Sequence, residues 1–281
     1  MMKYANKVML IVAVATLVLA GYGMVSPVYA EGTGKSDVQQ NQTLHRSVTI
    51  DGVEIFYREA GSRDNPTILL LHGFPTSSHM FRNLIPALAD RFHLVAPDYP
   101  GYGNSEQPAI EDFDYTFKHL SEIVEKFTEK LELNRYSLYL MDYGAPIGYR
   151  LAAKHPERVQ ALIVQNGNAY EEGLREFWDP IRKYWNEKTA ENAEPLKGFI
   201  SPEGVEWQYT HGVRNIETIS PDNWNVDLRH LTREGNPQIQ LDLFHSYQTN
   251  VPLCPASITL PFQRQIEFPV CGERVGNGRR P

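Results

Sequence analysis

The sequence predicts an α/β fold in which a mainly parallel sheet is flanked by helices. Between residues 47 and 167, short apolar runs alternate with amphipathic stretches, which indicates strands joined by helical crossovers. The apolar runs are continuous, as expected of strands that are buried on both faces of a sheet. The chain has 281 residues, of which 42% are hydrophobic, so it holds enough apolar material for the core of a folded domain.

The first predicted elements form a hairpin. The runs Ser47–Ile50 and Val53–Glu59 flank Asp51-Gly52, and Asp-Gly is a strong signal for a two-residue turn. Four buried strands are predicted after the hairpin, at Thr67–Leu71, Phe92–Ala96, Tyr136–Leu140 and Val159–Val164. The helices between them are predicted at Phe81–Ala89, Tyr115–Leu131 and Ala145–His155. The second helix carries an apolar stripe at three- and four-residue spacing.

The first thirty residues have the pattern of an export signal. A short positive segment at 1–7 precedes an apolar run at 8–20, and Val28 and Ala30 are small residues at the positions that a signal peptidase reads. The apolar run is shorter than the ~20 residues of a membrane span. We therefore expect cleavage after Ala30, a secreted or periplasmic product and no membrane partner, and an uncleaved membrane anchor is the alternative. Residues 31–45 are polar and are interpreted as a flexible leader.

The charge balance excludes one broad class of function. The chain has 27 basic and 34 acidic residues and a formal net charge of −7, and every acidic residue follows Ala30. Such a surface is unsuited to nucleic acid, so no nucleic-acid partner is expected. With only two cysteines, Cys254 and Cys271, the chain is not a disulfide scaffold.

Three loops carry residues suited to chemistry. His72–Pro75 follows the first buried strand and presents the backbone N–H of Phe74 toward a pocket, and Asp98–Ser105 follows the second. In the third loop a strand ends at Asp142 and a helix begins almost at once, with Gly144 in a turn that tolerates no Cβ. This pattern predicts a carboxylate on a strained elbow, beside a helix N-terminus that stabilises negative charge. The alternative for Asp142 is a simple helix N-cap.

Together these motifs resemble the α/β-hydrolase superfamily, and most closely its aspartate-nucleophile branch of haloalkane dehalogenases and epoxide hydrolases. The resemblance covers about residues 46–252. It implies an α/β-hydrolase core at 46–167 and a helical cap at 168–250 that roofs the pocket.

The resemblance also implies roles for individual residues. Asp142 matches the nucleophile, which forms an ester with the substrate. The backbone N–H groups of Phe74 and Tyr143 match the oxyanion hole. We expect His72 to order its loop by hydrogen bonding, and Asp98 to hold its glycine-rich turn.

Aromatic residues of the cap indicate the class of substrate. Trp178, Tyr184 and Trp185 are predicted to bind a small apolar molecule, although the cap tryptophans would equally suit the cap's own core. Dehalogenases usually place Trp after the nucleophile and often Asn at the Phe74 position. Tyr143 and Phe74 therefore favour an epoxide hydrolase-like activity over halide release. We expect no cofactor and no metal, and the sequence does not predict an oligomeric state.

The end of the chain departs from the family pattern. Full-length members have two further strands, which bring a catalytic acid and a catalytic histidine. Residues 251–281 contain no histidine and no periodicity, and Asn166 is an amide where some relatives have the acid. We interpret this tail as the product of a shifted reading frame or an early stop, and expect residues 254–281 to pack poorly and leave a sheet edge exposed. Without the histidine an ester would form but no base would activate water, so the alternative function is a small-ligand-binding protein on a hydrolase scaffold.

Overall fold

A computed structural model describes residues 41–168 and 171–253 of the chain. Within these ranges six strands form one sheet in the order β1-β2-β4-β3-β5-β6. The strands are β1 (Leu44–Ile50), β2 (Val53–Ala60), β3 (Thr67–Leu71), β4 (His93–Pro97), β5 (Tyr136–Met141) and β6 (Val159–Gln165). β2 pairs antiparallel with β1 and β4, and the other neighbours are parallel. The predicted α/β fold with a mainly parallel sheet is therefore confirmed.

Eight α-helices lie in the described ranges. Three of them belong to the core, α1 (Leu84–Leu88), α2 (Phe117–Lys130) and α3 (Gly144–Lys154). The other five follow β6, at α4 (Asp179–Asn186), α5 (Ala190–Lys197), α6 (Pro202–Thr210), α7 (Asp222–Leu231) and α8 (Asn236–Ser246). No strand occurs between residues 171 and 253, which agrees with an insert made of helices. None of these helices is long and apolar enough to cross a lipid bilayer.

The boundaries of the core elements follow from local sequence. The hairpin turn has positive φ at both central residues, 49° at Asp51 and 86° at Gly52, which suits the twist of paired strands. α2 begins after Thr116, whose side chain accepts a hydrogen bond from the His119 N–H, and it buries the predicted apolar stripe.

The single helix predicted at 81–89 is wrong in its boundaries. A 3₁₀ turn occupies Ser78–Phe81, and α1 begins only at Leu84. Pro86 has no backbone N–H, so it suits the first turn of a helix and not its interior. A helix start at Leu84 places it there.

β6 lies at an edge of the sheet as described. It pairs with β5, and its central residues 161–164 are only partly buried, although they are apolar. The expected poor packing of residues 254–281 falls outside the described residues, as do the predicted signal at 1–30 and residues 31–40 of the predicted leader. β1 begins at Leu44, two residues before the predicted start of the core.

A buried ion-pair network crosses the antiparallel half of the sheet. Glu59 on β2 is only 4% exposed, and its carboxylate pairs with Arg46 at 3.1 Å, Arg63 at 2.8 Å and His93 at 2.9 Å. The His93 ring also contacts the Thr67 hydroxyl at 3.1 Å. The hydrogen bond from His93, with the help of Arg63, lowers the pKa of Glu59 to about 2 although burial opposes the shift. The charge of Glu59 therefore stabilises the fold.

Replacing this carboxylate should destabilise the protein in a pH-dependent way. We expect Glu59→Gln to lower the free energy of unfolding at pH 7 by about 2 kcal/mol. A lowered pKa contributes stability above the unfolded value of 4.5, and that stability is lost as the pH falls toward 2. The stability difference between the unaltered protein and Glu59→Gln, measured by urea unfolding, should therefore become smaller as the pH falls from 4.5 toward 2.

The matched control is Glu122→Gln, because Glu122 pairs with Lys118 at 2.7 Å on an exposed helix surface. It should lose less than about 1 kcal/mol. Equal losses in the two variants, or a deficit in Glu59→Gln that does not change with pH, would contradict the assignment.

Candidate active site

Asp142 lies at the turn between a strand and a helix. β5 ends at Met141 and α3 begins at Gly144, and Asp142 has a φ of 49°, which is uncommon for a residue with a side chain. A Cβ at Gly144 would lie 2.2 Å from the Leu71 carbonyl oxygen, so only glycine fits there. Tyr143, which precedes α3, makes no side-chain cap, and the Asp142 carboxylate bonds to a different loop. This geometry agrees with the predicted elbow and not with a simple N-cap.

The loop after β3 brings a backbone donor to the Asp142 carboxylate. The Phe74 N–H donates to Asp142 Oδ1 at 2.8 Å, and the Tyr143 N–H also bonds to the carboxylate. A Cβ at Gly73 would lie 2.4 Å from the Asp142 Cβ, so glycine is needed for this approach. The two N–H groups predicted for an oxyanion hole thus converge on the predicted nucleophile.

The protonation of Asp142 is set by burial and by these two donors. Removal from solvent raises the pKa of Asp142 to about 6, while the N–H groups of Phe74 and Tyr143 act in the opposite direction. Most Asp142 side chains are therefore ionised at pH 7, which is the form that the predicted nucleophilic role requires.

His72 supports the loop through hydrogen bonds at both of its ring nitrogens. Its Nε2 accepts from the Tyr99 N–H at 3.3 Å, and its Nδ1 lies 3.0 Å from the Gly73 carbonyl oxygen. The ring stacks on Tyr99 at 4.1 Å, and burial lowers the pKa of His72. A neutral ring with Nδ1 as donor satisfies both bonds, which confirms that His72 orders its loop.

Asp98 holds the neighbouring turn, as predicted. Its Oδ1 accepts from the Ser78 N–H at 2.6 Å and its Oδ2 from the Asn104 N–H at 2.8 Å. One buried carboxylate therefore ties the glycine-rich turn to the 3₁₀ turn that follows the loop at His72–Pro75.

Aromatic rings from both the core and the helical insert enclose Tyr143. Ring centroids lie 4.8–6.5 Å from that of Tyr143 for Phe74, Phe117, Phe244 and Tyr247. The Tyr143 hydroxyl is buried and has no hydrogen-bond partner among the described residues. The side chain that follows Asp142 thus lies within a wall of aromatic rings and carries an unpaired donor.

The three aromatic residues predicted to bind substrate occupy different places. Trp178 and Trp185 pack on Tyr247, with centroid distances of 4.7 and 6.4 Å, so they contact the wall and lie one ring away from Tyr143. Tyr184 is 3% exposed and its ring packs on His245, and no ring contact in the described ranges links it to Tyr143. The structure therefore brings the two tryptophans toward the elbow but not Tyr184.

Three residues of the wall were given no role by sequence reasoning. Phe117 begins α2, and Phe244 and Tyr247 lie at the end of α8 and just beyond it, about a hundred residues from the elbow. No local motif marks them. Phe117 reaches Tyr143 through the packing of the core helices, and Phe244 and Tyr247 reach it through the packing of the insert on the core.

The described residues show no histidine hydrogen-bonded to Asp142. His155 pairs with Glu125 at 2.6 Å, and His211 stacks on Trp207. Asn166 follows β6 as an exposed residue with a φ of 50°. In the same ranges no three His, Cys, Asp or Glu side chains are grouped so that they could hold a metal.

Removing the charge of Asp142 should stabilise the protein at alkaline pH. Its pKa of about 6 exceeds the ordinary 3.8, so ionisation costs free energy only in the folded state. This cost is absent below pH 3.8 and complete above pH 6. With an allowance for the partial exposure of the residue, we expect Asp142→Asn to gain about 1–2 kcal/mol at pH 8. At pH 4 urea unfolding should detect almost no gain.

Asp51→Asn is the matched control, because Asp51 has the same φ of 49° but an exposed carboxylate. It should show no gain at pH 8. A loss of stability in Asp142→Asn at that pH would contradict the assigned cause of the pKa shift.

Comparisons with known proteins agree with this geometry. A family model described as alpha/beta hydrolase fold matches residues 66–202. An uncharacterized hydrolase of Saccharomyces cerevisiae is 45% identical over 234 residues, which cover 81% of this chain and 78% of that protein. A haloalkane dehalogenase of Mycolicibacterium paratuberculosis is 42% identical over 117 residues, which are 41% of this chain and 38% of the dehalogenase.

Solved structures share the same fold. Cfl2 from Burkholderia cenocepacia matches with a TM-score of 0.62 and 29% identity, over 73% of this chain and 71% of that one. The haloalkane dehalogenase DbeA from Bradyrhizobium elkani matches with a TM-score of 0.59 over 78% of this chain and 73% of its own, and at 23% identity it shows the fold alone. With its elbow, its sheet order and these relatives, the chain belongs to the α/β-hydrolase superfamily and is a hydrolase of that family.

Proposed function

We propose that the protein attacks an electrophilic carbon of a small apolar epoxide, ester or halide with the carboxylate of Asp142. The observation that carries the proposal is the elbow, on which a partly buried carboxylate is held by the N–H of Phe74 at 2.8 Å. A carboxylate with a pKa of about 6 is ionised at neutral pH, yet it is poorly solvated and therefore reactive. A substrate-binding wall of aromatic rings suits an apolar molecule.

The proposed step balances without a cofactor. A carboxylate oxygen of Asp142 forms a bond to carbon, and the bond between that carbon and the leaving atom breaks. With an epoxide the ring oxygen leaves as an alkoxide, takes up one proton and remains on the product as a hydroxyl group. With an epoxide or a halide, the other carboxylate oxygen becomes the carbonyl oxygen of an alkyl ester. With an activated ester, the acyl group is transferred to Asp142 as a mixed anhydride and the alcohol leaves. Oδ1 is suited to be the carbonyl oxygen because it already accepts from the Phe74 N–H.

An epoxide is favoured over a halide by the two side chains nearest the elbow. Phe74 has no side-chain donor that could hold a departing halide, whereas Tyr143 has a buried hydroxyl without a partner in the described part of the chain. An unsatisfied buried hydroxyl costs about 1–3 kcal/mol, and a substrate oxygen would satisfy it. Halide release is the second candidate, and the 42% identity to a haloalkane dehalogenase over 117 residues favours it.

We further propose that the 281-residue chain forms the ester but does not hydrolyse it. Its sequence contains no histidine after His245, and hydrolysis needs a base that activates water. Export to the periplasm or the medium, with cleavage after Ala30, is part of the proposal and depends on the pattern of residues 1–30. The alternative is a protein that binds a small apolar ligand and performs no chemistry.

Intact-mass spectrometry should reveal one covalent adduct per protein. We expect the mature chain, incubated with an aryl epoxide, a 1-bromoalkane and an activated ester, to gain the mass of one substrate-derived group on Asp142. Peptide mapping should locate the group, and Asp142→Asn should remain unmodified because its amide does not attack carbon. No adduct and no turnover would instead favour the ligand-binding alternative. Repeated turnover that Asp142→Asn abolishes would show that another residue supplies the base.

The hydroxyl of Tyr143 should matter for an epoxide and not for a bromoalkane. Tyr143→Phe removes only the unpaired donor, so we expect the rate of ester formation to fall at least about tenfold with the epoxide. With the bromoalkane the change should stay within about threefold, since bromide leaves without a proton. Tyr184→Phe is the control, because the Tyr184 ring is buried against His245. An equal fall with both substrates would remove the reason for favouring an epoxide.

A further inference from the structure

The turn that follows β6 consists of an asparagine and a glycine. β6 ends at Gln165, and Asn166 comes next with a φ of 50°, a left-handed conformation that asparagine adopts more readily than most residues. A Cβ at Gly167 would lie 2.7 Å from the Ala145 Cβ in the first turn of α3, so a glycine is needed there. The local geometry of this turn therefore favours an Asn-Gly pair.

The side chain of Asn166 is accessible and is not held in place. The residue is exposed, and neither its side-chain amide nor the Gly167 N–H makes a hydrogen bond with another residue of the ranges 41–168 and 171–253. Because glycine has no side chain, the Gly167 nitrogen can approach the side-chain carbonyl carbon of Asn166 with little steric hindrance. Asparagine is a thermolabile residue, and it loses its side-chain amide most readily where an exposed glycine follows it.

The same turn lies beside the candidate nucleophile. In the parallel pairing of β5 and β6, Met141 is opposite Gln165, so Asp142 and Asn166 follow at adjacent positions of one sheet edge. Neighbouring strands are about 4.8 Å apart. A charge on residue 166 is therefore close enough to act on the Asp142 carboxylate.

We propose that Asn166 is a modification site, at which spontaneous deamidation places a second carboxylate beside Asp142. The Gly167 nitrogen forms a bond to the side-chain carbonyl carbon of Asn166. The side-chain nitrogen takes up the proton of the Gly167 N–H and leaves as ammonia. Water then opens the five-membered imide at either of its carbonyl carbons, which gives aspartate or isoaspartate. The change consumes one water molecule, releases one ammonia molecule and needs no cofactor.

The added charge should disfavour the ionisation of Asp142. Burial already raises the pKa of Asp142 to about 6, and a neighbouring negative charge acts in the same direction. The other titratable groups around the turn and the elbow are hydroxyls and one imidazole, at Tyr99, Tyr102, Tyr143, Tyr149 and His72. Burial raises the pKa of the first three well above 10 and lowers the pKa of His72. Deamidation should therefore slow ester formation near pH 6, a consequence that rests on the proposed function, whereas the modification itself does not.

Peptide mapping of stored protein tests the modification. Trypsin releases Asn166 on the peptide 159–175, and it releases Asn134, an exposed asparagine followed by Arg135, on the peptide 131–135. After several days at pH 8.5, part of the first peptide should be heavier by about 1 Da, and tandem mass spectra should locate the change at Asn166. Asn134 is the internal control, because the side chain of Arg135 hinders the approach of its backbone nitrogen. We expect conversion of Asn166 to be at least about tenfold faster than that of Asn134, and a smaller difference would overturn the proposal.

Two further samples show that the reaction follows the proposed route. The sequence has a second Asn-Gly pair, Asn277-Gly278, which lies outside the described residues. In urea both pairs should convert at the same rate. Asn166→Gln should abolish the change on the peptide 159–175, because the longer side chain does not form the five-membered ring. An unchanged conversion in Asn166→Gln would place the modification at another residue and overturn the proposal.

Nuclear magnetic resonance can measure the effect of the new charge without a substrate. Gly73–Phe74 is one of two Gly-Phe bonds in the sequence. Glycine labelled with ¹³C at its carbonyl and phenylalanine labelled with ¹⁵N therefore isolate two amide signals, and the Phe74 signal should titrate with the Asp142 carboxylate that it binds. We expect a midpoint near pH 6 in the unaltered protein. In Asn166→Asp the midpoint should rise by roughly half a pH unit.

Asn134→Asp is the matched control, because it adds the same charge before β5 begins, whereas Asp142 follows the end of β5. It should leave the midpoint unchanged, and Asp142→Asn should remove the transition, which distinguishes it from a titration of His72. Equal midpoints in Asn166→Asp and Asn134→Asp would overturn the electrostatic part of the inference. Ester formation by Asn166→Asp should be about twofold slower at pH 6 and unchanged at pH 8.5. If the unaltered protein forms no ester, the proposed function fails, and the peptide map and the midpoint still decide on this inference.

Discussion

The hydrogen bond from the Phe74 N–H to Asp142 Oδ1 is the contact on which the rest of the site depends. It joins the loops that follow β3 and β5, two parallel strands that pair with Leu71 opposite Leu140 and so end at the same edge of the sheet. The bond is charge-assisted, which offsets part of the cost of removing a carboxylate from water. The steric needs of this approach explain why both Gly73 and Gly144 are glycines.

Two buried polar residues, His72 and Asp98, hold the loops around this bond in place. His72 bonds to the backbone of Gly73 and Tyr99, and the Tyr99 hydroxyl donates to the His72 carbonyl oxygen at 2.9 Å. Asp98 bonds to backbone N–H groups of two separate turns. Each group is buried, and each has its partners in the backbone of a loop. The loops are therefore fixed by specific bonds and not by apolar packing alone, as a site with sub-ångström requirements needs.

Features that depend on residues close together in the sequence were predicted, whereas contacts between residues far apart in the sequence were not. The elbow at Asp142, the N–H of Phe74 and the turn held by Asp98 were predictable because each depends on residues within one motif. The start of α1 was misjudged because apolar periodicity outweighed the effect of Pro86. Phe117, Phe244 and Tyr247 were not assigned to the site, since only tertiary packing, of α2 within the core and of the helical insert on the core, brings them to Tyr143. Tyr184 was predicted from composition, which does not report the direction of a side chain.

The packing of the helical insert on the core affects the electrostatic environment of Asp142. Tyr102, which stands on the core turn and is 2% exposed, donates to Gln240 of α8 at 2.6 Å, and Gln240 donates in turn to Asn236 at 3.1 Å. Buried amides of this kind are satisfied only when α8 rests on the core, so they favour the closed arrangement over a partly opened one. Phe244 of the same helix packs on Phe74 and Tyr143 at the elbow. Because desolvation is what raises the pKa of Asp142, an opening of α8 that admits water would lower it toward the ordinary value. The raised pKa of Asp142 is thus a property of the closed insert as much as of the aspartate itself.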